Sequence, residues 1–146
     1  MNSQQMPWNR FRFQGFDFLT GGLMRIGIDI VDIGRFKTAA QRTPRILQRV
    51  FTERELSYCM AKANPYPSLA ARFAAKEAIR KLHPDLSRGI RFHDVEVTVD
   101  GQGRPEVALH GAALAHCQAA GLQSITLSLS HSKMQAIAAV IAEGGI

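Results

Sequence analysis

The stretch RIGIDIVDIGRF, Arg25 to Phe36, constrains this chain more than any other, because it alternates like a β-strand and carries a carboxylate in its middle. Ile26, Ile28 and Ile30 fall on one face of such a strand, and Gly27, Asp29, Val31 and Ile33 on the other, since successive side chains point to opposite sides. Both faces read as largely apolar, so the strand is expected to be covered on both sides. An ionised Asp29 there is costly unless something cationic meets it. The strand therefore predicts a cation beside Asp29.

The chain has 146 residues, 46% of them hydrophobic, enough for one well-filled domain and too few for two. Cys59 and Cys117 lie far apart and outside any CxxC pair, which argues against a disulfide framework or a zinc site and for a reduced, cytoplasmic protein. A net charge of +6 and a pI near 9.9 point to an acidic partner or substrate. No stretch has the length of a membrane-spanning helix, and the N-terminus lacks the apolar core of a signal peptide. Residues 1–23 alternate aromatic with polar side chains and end in a Gly-Gly break before Met24, so they read as a dispensable extension, and 24–146 as the domain.

Beyond the strand, the run from Arg35 to Thr52 holds no acidic residue but carries Arg35, Lys37, Arg42, Arg45 and Arg49. Thr43 and Pro44 read as the cap and first position of a helix with Arg45 and Arg49 on one face. Thr52 and Glu55 have capping-box spacing and open a further helix, to about Lys62, that NPYP ends. SLAARFAAKEAIRKL, Ser68 to Leu82, predicts a long helix, with Arg72, Lys76 and Arg80 as a basic stripe beside the face of Phe73, Glu77 and Lys81. A hairpin follows around GQGRP, then a small-residue helix from Gly111 to Ala120, then two strands, SITLSLS and QAIAAVIA. This order predicts an α+β domain with a mainly antiparallel sheet.

The residues themselves leave the chemistry open. Glu77 and Lys81, at i and i+4, suit a surface ion pair as well as a site. If Glu77 faces the end of the first strand, Asp29 and Glu77 suit Mg²⁺ that keeps waters and takes oxygens from a phosphate. His131, in SLSHS, lacks the elbow motif of a serine hydrolase, and GQGRP has the spacing of neither a P-loop nor a dinucleotide fingerprint. A basic nucleic-acid-binding module would use the same arginines but leave Asp29 and Glu77 without a role, whereas a metal-dependent phosphohydrolase would use the carboxylates.

Taken in order, GIDIVDIGRF, FTERELSYC, SLAARFAAKEAIRKL, DVEV, GRP and LSLSHSKMQAIAAVI resemble the short bacterial holo-[acyl-carrier-protein] synthases, the 4′-phosphopantetheinyl transferases of fatty acid synthesis. The resemblance implies an enzyme that passes the phosphopantetheine arm of coenzyme A to a serine of apo acyl carrier protein, leaving adenosine 3′,5′-bisphosphate. It implies a homotrimer with active sites at subunit interfaces, and no nucleic-acid or membrane partner. Asp29 and Glu77 match the Mg²⁺ ligands, Lys81 a phosphate-contacting lysine, and Arg72 and His131 positions associated with the coenzyme A phosphates. Arg35, Arg42, Arg45 and Arg49 match the region that docks the acidic carrier. This chain departs from the pattern at Pro84, Asp85 and Leu86, where many members have Gly-Thr-Gly, and at Val31, where the larger transferases place an acidic ligand.

Overall fold

In the computed structural model, which describes residues 22–145, β1 (Leu23–Asp32) runs into three short helices, α1 (Ile33–Arg42), α2 (Arg45–Val50) and α3 (Glu53–Met60). The long helix α4 (Tyr66–Arg80) follows, then the hairpin β2 (Val95–Val99) and β3 (Pro105–Leu109), α5 (Gly111–Ala119), β4 (Leu122–His131) and β5 (Gln135–Gly144). β5 lies between β1 and β4, antiparallel to both, and β2 pairs with β3 alone. The expected α+β class and antiparallel pairing are both present. Most of the stretch read as an extension lies outside the described residues, but Leu23 already pairs with Gly144.

α4 lies across the three-stranded sheet, and its composition explains how closely. Ala70, Ala71, Ala74, Ala75 and Ala78 are buried on it, facing a strip of Ala136, Ala138, Val140 and Ala142 on β5. Methyl groups on both sides bring the backbones together. At Gly27 the approach is closer still: a Cβ there would overlap the Ala78 carbonyl oxygen and come within 2.9 Å of Val140 Cγ2. Only hydrogen fits, so the glycine sets the distance between β1 and α4.

The far side of β1 corrects the expectation of a doubly covered strand. Met24, Ile26, Ile28 and Ile30 are 50 to 70% exposed, and Ile137 and Ile141 on β5 continue the same face. Alternation correctly separates the two faces but does not say what covers each, and among the described residues of one chain only the α4 side is covered.

Local signals explain most helix ends. The Thr52 hydroxyl accepts from the Glu55 amide while the Glu55 carboxylate accepts from the Thr52 amide, the predicted capping box. Thr43, expected to cap α2, closes α1 instead, its amide donating to Ala39 at 3.0 Å, and Pro44 takes the cap position. NPYP opens α4 rather than only ending α3, because a proline in the first turn forfeits no helical hydrogen bond. The predicted basic stripe is not solvated: Arg72 and Lys76 are buried, and of the three only Arg80 keeps partial exposure.

Gly27→Ala is expected to destabilise the fold by about 3 kcal/mol or more, since the obstructing atom is backbone and cannot rotate away. Denaturant unfolding checks this, and an unchanged midpoint would contradict the close approach.

Candidate active site

β1 and the end of α4 converge on Asp29. Its Oδ1 is 2.9 Å from Lys81 Nζ, which also donates to the Ile28 carbonyl at 2.8 Å. The cation that the strand predicts is therefore present as Lys81, at the C-cap of α4, where the carbonyl end of a helix favours positive charge. The pair is open to water, with side chains 19% (Asp29) and 54% (Lys81) exposed, so it contributes at most ~1 kcal/mol. A contact that weak can be exchanged for a ligand at small cost.

Glu77 stands one turn before Lys81, three residues from Arg80, and its carboxylate is 3.6 Å from the Arg80 guanidinium. Asp29 and Glu77 line one cavity of about 430 Å³. Its rim carries Asp32 and Arg35, and its interior is apolar, formed by Phe36, Ala39, Ala40, Ile46, Val50, Phe51 and Phe73. Asp32 is held at the rim by capping α1, its Oδ1 accepting from the Arg35 amide at 2.8 Å. Among the described residues no group of three or more His, Cys, Asp or Glu side chains gathers to hold a metal. Two carboxylates offering only oxygen, beside an apolar Val31, fit a hard cation such as Mg²⁺ that keeps most of its waters, and do not suit a closed cage.

The remaining residues singled out from the sequence fall elsewhere. Arg72 packs on the Tyr58 ring at 4.5 Å and donates from Nη1 to Ser68 O at 3.3 Å, while its buried Nε has no hydrogen-bond partner among the described residues. It lines a second, smaller cavity of about 190 Å³ with Arg54, Tyr58, Val97, Thr98 and Val99. His131 is exposed at the end of β4, in register with Ala136 and, across β5, with Val31. One chain therefore does not bring Arg72 and His131 to the carboxylate cavity. Arg35, Arg42, Arg45 and Arg49 are all exposed on α1 and α2, and of these only Arg35 reaches that cavity.

Sequence reasoning missed a buried ion pair. Lys76 Nζ is 2.8 Å from Glu55 Oε1, deep between α3, α4 and β2. Burial pushes the Lys76 ammonium below its ordinary range, and the Glu55 carboxylate partly restores it. Lys76 sits among Ala74, Ala75 and Ala78, so a lysine within an alanine face was the available signal. Glu96, also buried, is held below the usual carboxylate range by the hydroxyl of Thr52, which donates to it at 2.7 Å. In place of a glycine loop, Pro84–Leu86 forms one 3₁₀ turn, capped by His83 Nδ1 accepting from the Asp85 amide, with Leu86 fully buried.

Comparisons with known proteins show the family. Residues 25–140 match the 4′-phosphopantetheinyl transferase superfamily. A holo-[acyl-carrier-protein] synthase from Moorella thermoacetica is 44% identical over 122 residues, 83% of this chain and 94% of that protein. The crystal structure of holo-[acyl-carrier-protein] synthase from Neisseria meningitidis has a TM-score of 0.71 at 30% identity, covering 81% of this chain and 96% of that one. The Helicobacter pylori synthase in complex with coenzyme A has a TM-score of 0.67 at 31% identity, covering 80% and 98%. This chain belongs to the 4′-phosphopantetheinyl transferase superfamily. Within it the chain groups with the holo-[acyl-carrier-protein] synthases, and it is an enzyme, a phosphopantetheinyl transferase.

Proposed function

We propose that the protein transfers 4′-phosphopantetheine from coenzyme A to a serine of apo acyl carrier protein, in a Mg²⁺-dependent reaction that releases adenosine 3′,5′-bisphosphate and supplies fatty acid synthesis in the cytoplasm. The observation that carries this reading is the meeting of Asp29 and Glu77, from separate elements, in one cavity with Lys81 beside them. A synthase of the same family from Helicobacter pylori has been solved with coenzyme A bound.

In this reading Asp29 and Glu77 hold the metal, which when bound offsets the charge of the coenzyme A diphosphate. Lys81 turns its ammonium from Asp29 to that diphosphate and stabilises the negative charge on the leaving phosphate. Glu77 takes the proton from the carrier serine, directly or through one water. The serine oxygen forms a bond to phosphorus as the bond to adenosine bisphosphate breaks. The apolar interior walled by Phe36, Ile46 and Phe73 lies between the carboxylates and the arginine-bearing helices, where it excludes water and receives an apolar part of the arm or of the carrier.

Arg72 and His131 bind coenzyme A phosphates in this reading, yet they lie outside the carboxylate cavity of their own chain. A second copy then has to supply them, which fits sites at the subunit interfaces of a homotrimer. The exposed Met24, Ile26, Ile28, Ile30, Ile137 and Ile141 form the apolar sheet face that such an assembly would cover. The residues before Leu23, which already belongs to β1, are proposed to stand outside the catalytic domain, and buried free thiols at Cys59 and Cys117 suit a reducing compartment.

Incubation with coenzyme A, Mg²⁺ and apo carrier, read by the mass of the carrier, tests the function. Asp29→Ala and Glu77→Ala should each lose most of the transfer while remaining folded, and retained turnover at saturating Mg²⁺ would sink their assignment. Arg45→Glu should raise the carrier KM with little change in coenzyme A binding. The wild-type rate at low carrier should also fall as salt passes ~0.15 M, where charges further apart than about 8 Å are screened. Salt-sensitive binding of duplex DNA without carrier modification would overturn the reading. Ile28→Asp should yield smaller particles by sedimentation and little transfer, whereas an unchanged assembly would remove the sheet face from the interface.

A further inference from the structure

The Glu55–Lys76 pair has a geometry that burial alone does not require. Its side chains are 0% (Glu55) and 1% (Lys76) exposed. Apolar residues of the same volume stabilise a core as well as a buried ion pair does, so stability is a weak reason for one. This pair instead joins three elements at a point. The Lys76 ammonium donates to Glu55 Oε1 at 2.8 Å, to the Phe92 carbonyl at 3.0 Å and to the Val95 carbonyl, which uses all three of its protons. Glu55 Oε1 also accepts from the Thr52 amide at 2.9 Å, and Oε2 from the Val97 amide at 3.0 Å. The first turn of α3, the middle of α4 and the start of β2 are thus held at fixed distances.

Those three elements also wall the second cavity. Arg54 and Tyr58 come from α3, Arg72 from α4, one turn before Lys76, and Val97, Thr98 and Val99 from β2. Arg72 Nε, buried and without a hydrogen-bond partner among the described residues, belongs to a side chain that lines it. A shift of α3 or β2 against α4 would move the walls relative to the guanidinium. We propose that Glu55 and Lys76 are positioning residues for the transfer reaction, fixing the spacing of α3, α4 and β2 and so holding Arg72 where it meets a phosphate of coenzyme A. This rests on the functional reading above, in which Arg72 binds such a phosphate.

The test is the double variant Glu55→Leu/Lys76→Met, which replaces the pair by apolar side chains, together with Glu55→Asp, which keeps the charge but shortens its reach by one methylene. Thermal unfolding and steady-state kinetics are measured on the full chain with coenzyme A, Mg²⁺ and apo carrier. The double variant also takes the partners from the Thr52 and Val97 amides and the Phe92 and Val95 carbonyls, so it should unfold cooperatively but about 10 °C or more below the wild type. Its coenzyme A KM should rise about tenfold while the carrier KM holds, and Glu55→Asp should raise the coenzyme A KM by about threefold. A purely structural role predicts otherwise: fewer active molecules lower kcat and leave KM alone. A folded double variant with wild-type coenzyme A KM, or a loss confined to kcat, overturns the proposal. If the double variant does not fold, Glu55→Asp decides, and an unchanged coenzyme A KM in it is equally fatal. A wild-type protein that leaves the carrier unmodified would overturn the functional reading, and this proposal with it.

Discussion

The missing side chain at Gly27 is the constraint on which the rest of the site depends. Because only hydrogen stands between β1 and the Ala78 carbonyl, strand and helix approach backbone to backbone. Asp29 follows Gly27 by two residues and stays on the same face, while Glu77 precedes Ala78 by one and Lys81 follows it by three. One contact therefore sets the separation of all three groups. The alanine faces of α4 and β5 extend this close approach along the helix. Such packing has little freedom to relax, which suits charged groups that must meet a ligand at fixed distances.

Much of this was legible in the chain because it depends on spacing. Alternation placed Asp29 opposite the isoleucines, the capping box marked the start of α3, and the turn signals placed the β2–β3 hairpin. The strand also called correctly for a cation at Asp29, although the sequence did not say that Lys81 would meet it directly. What remained hidden depends on what lies across space from a residue. Periodicity grouped Arg72, Lys76 and Arg80 as a stripe, but only the position of α3 and β2 decides that the first two are buried. In the same way, the exposed face of β1 looks in sequence like any other core face.

Seven of the 18 lysines and arginines form two contrasting groups, and the contrast bears on what a basic pI means here. Lys76 is consumed by Glu55, Arg72 is enclosed with Tyr58, and Lys81 is held on Asp29. These three, all on or just after α4, each have neighbours that direct their charge to particular points, Lys76 and Arg72 by burial and Lys81 by its exposed contact with Asp29. Arg35, Arg42, Arg45 and Arg49 instead stand in solvent on α1 and α2, with no carboxylate of the described residues paired to them. Loose arginines spread over two short helices suit a broad acidic surface, where long-range attraction and bidentate contacts matter more than one fixed geometry.

One member of each group flanks the carboxylate cavity, Arg35 in its lining and Lys81 on Asp29. On the proposed reading, a macromolecular anion arriving over α1 and α2 is brought to the edge at which a small anion is held by α4. The apolar interior lies between them, where the Phe36 and Phe73 rings pack at a tilt with centroids 5.8 Å apart. On the proposed reading, this separation lets one basic protein accept two acidic substrates at once. The carrier would be recruited by charge that salt screens, and coenzyme A by charge that the fold positions.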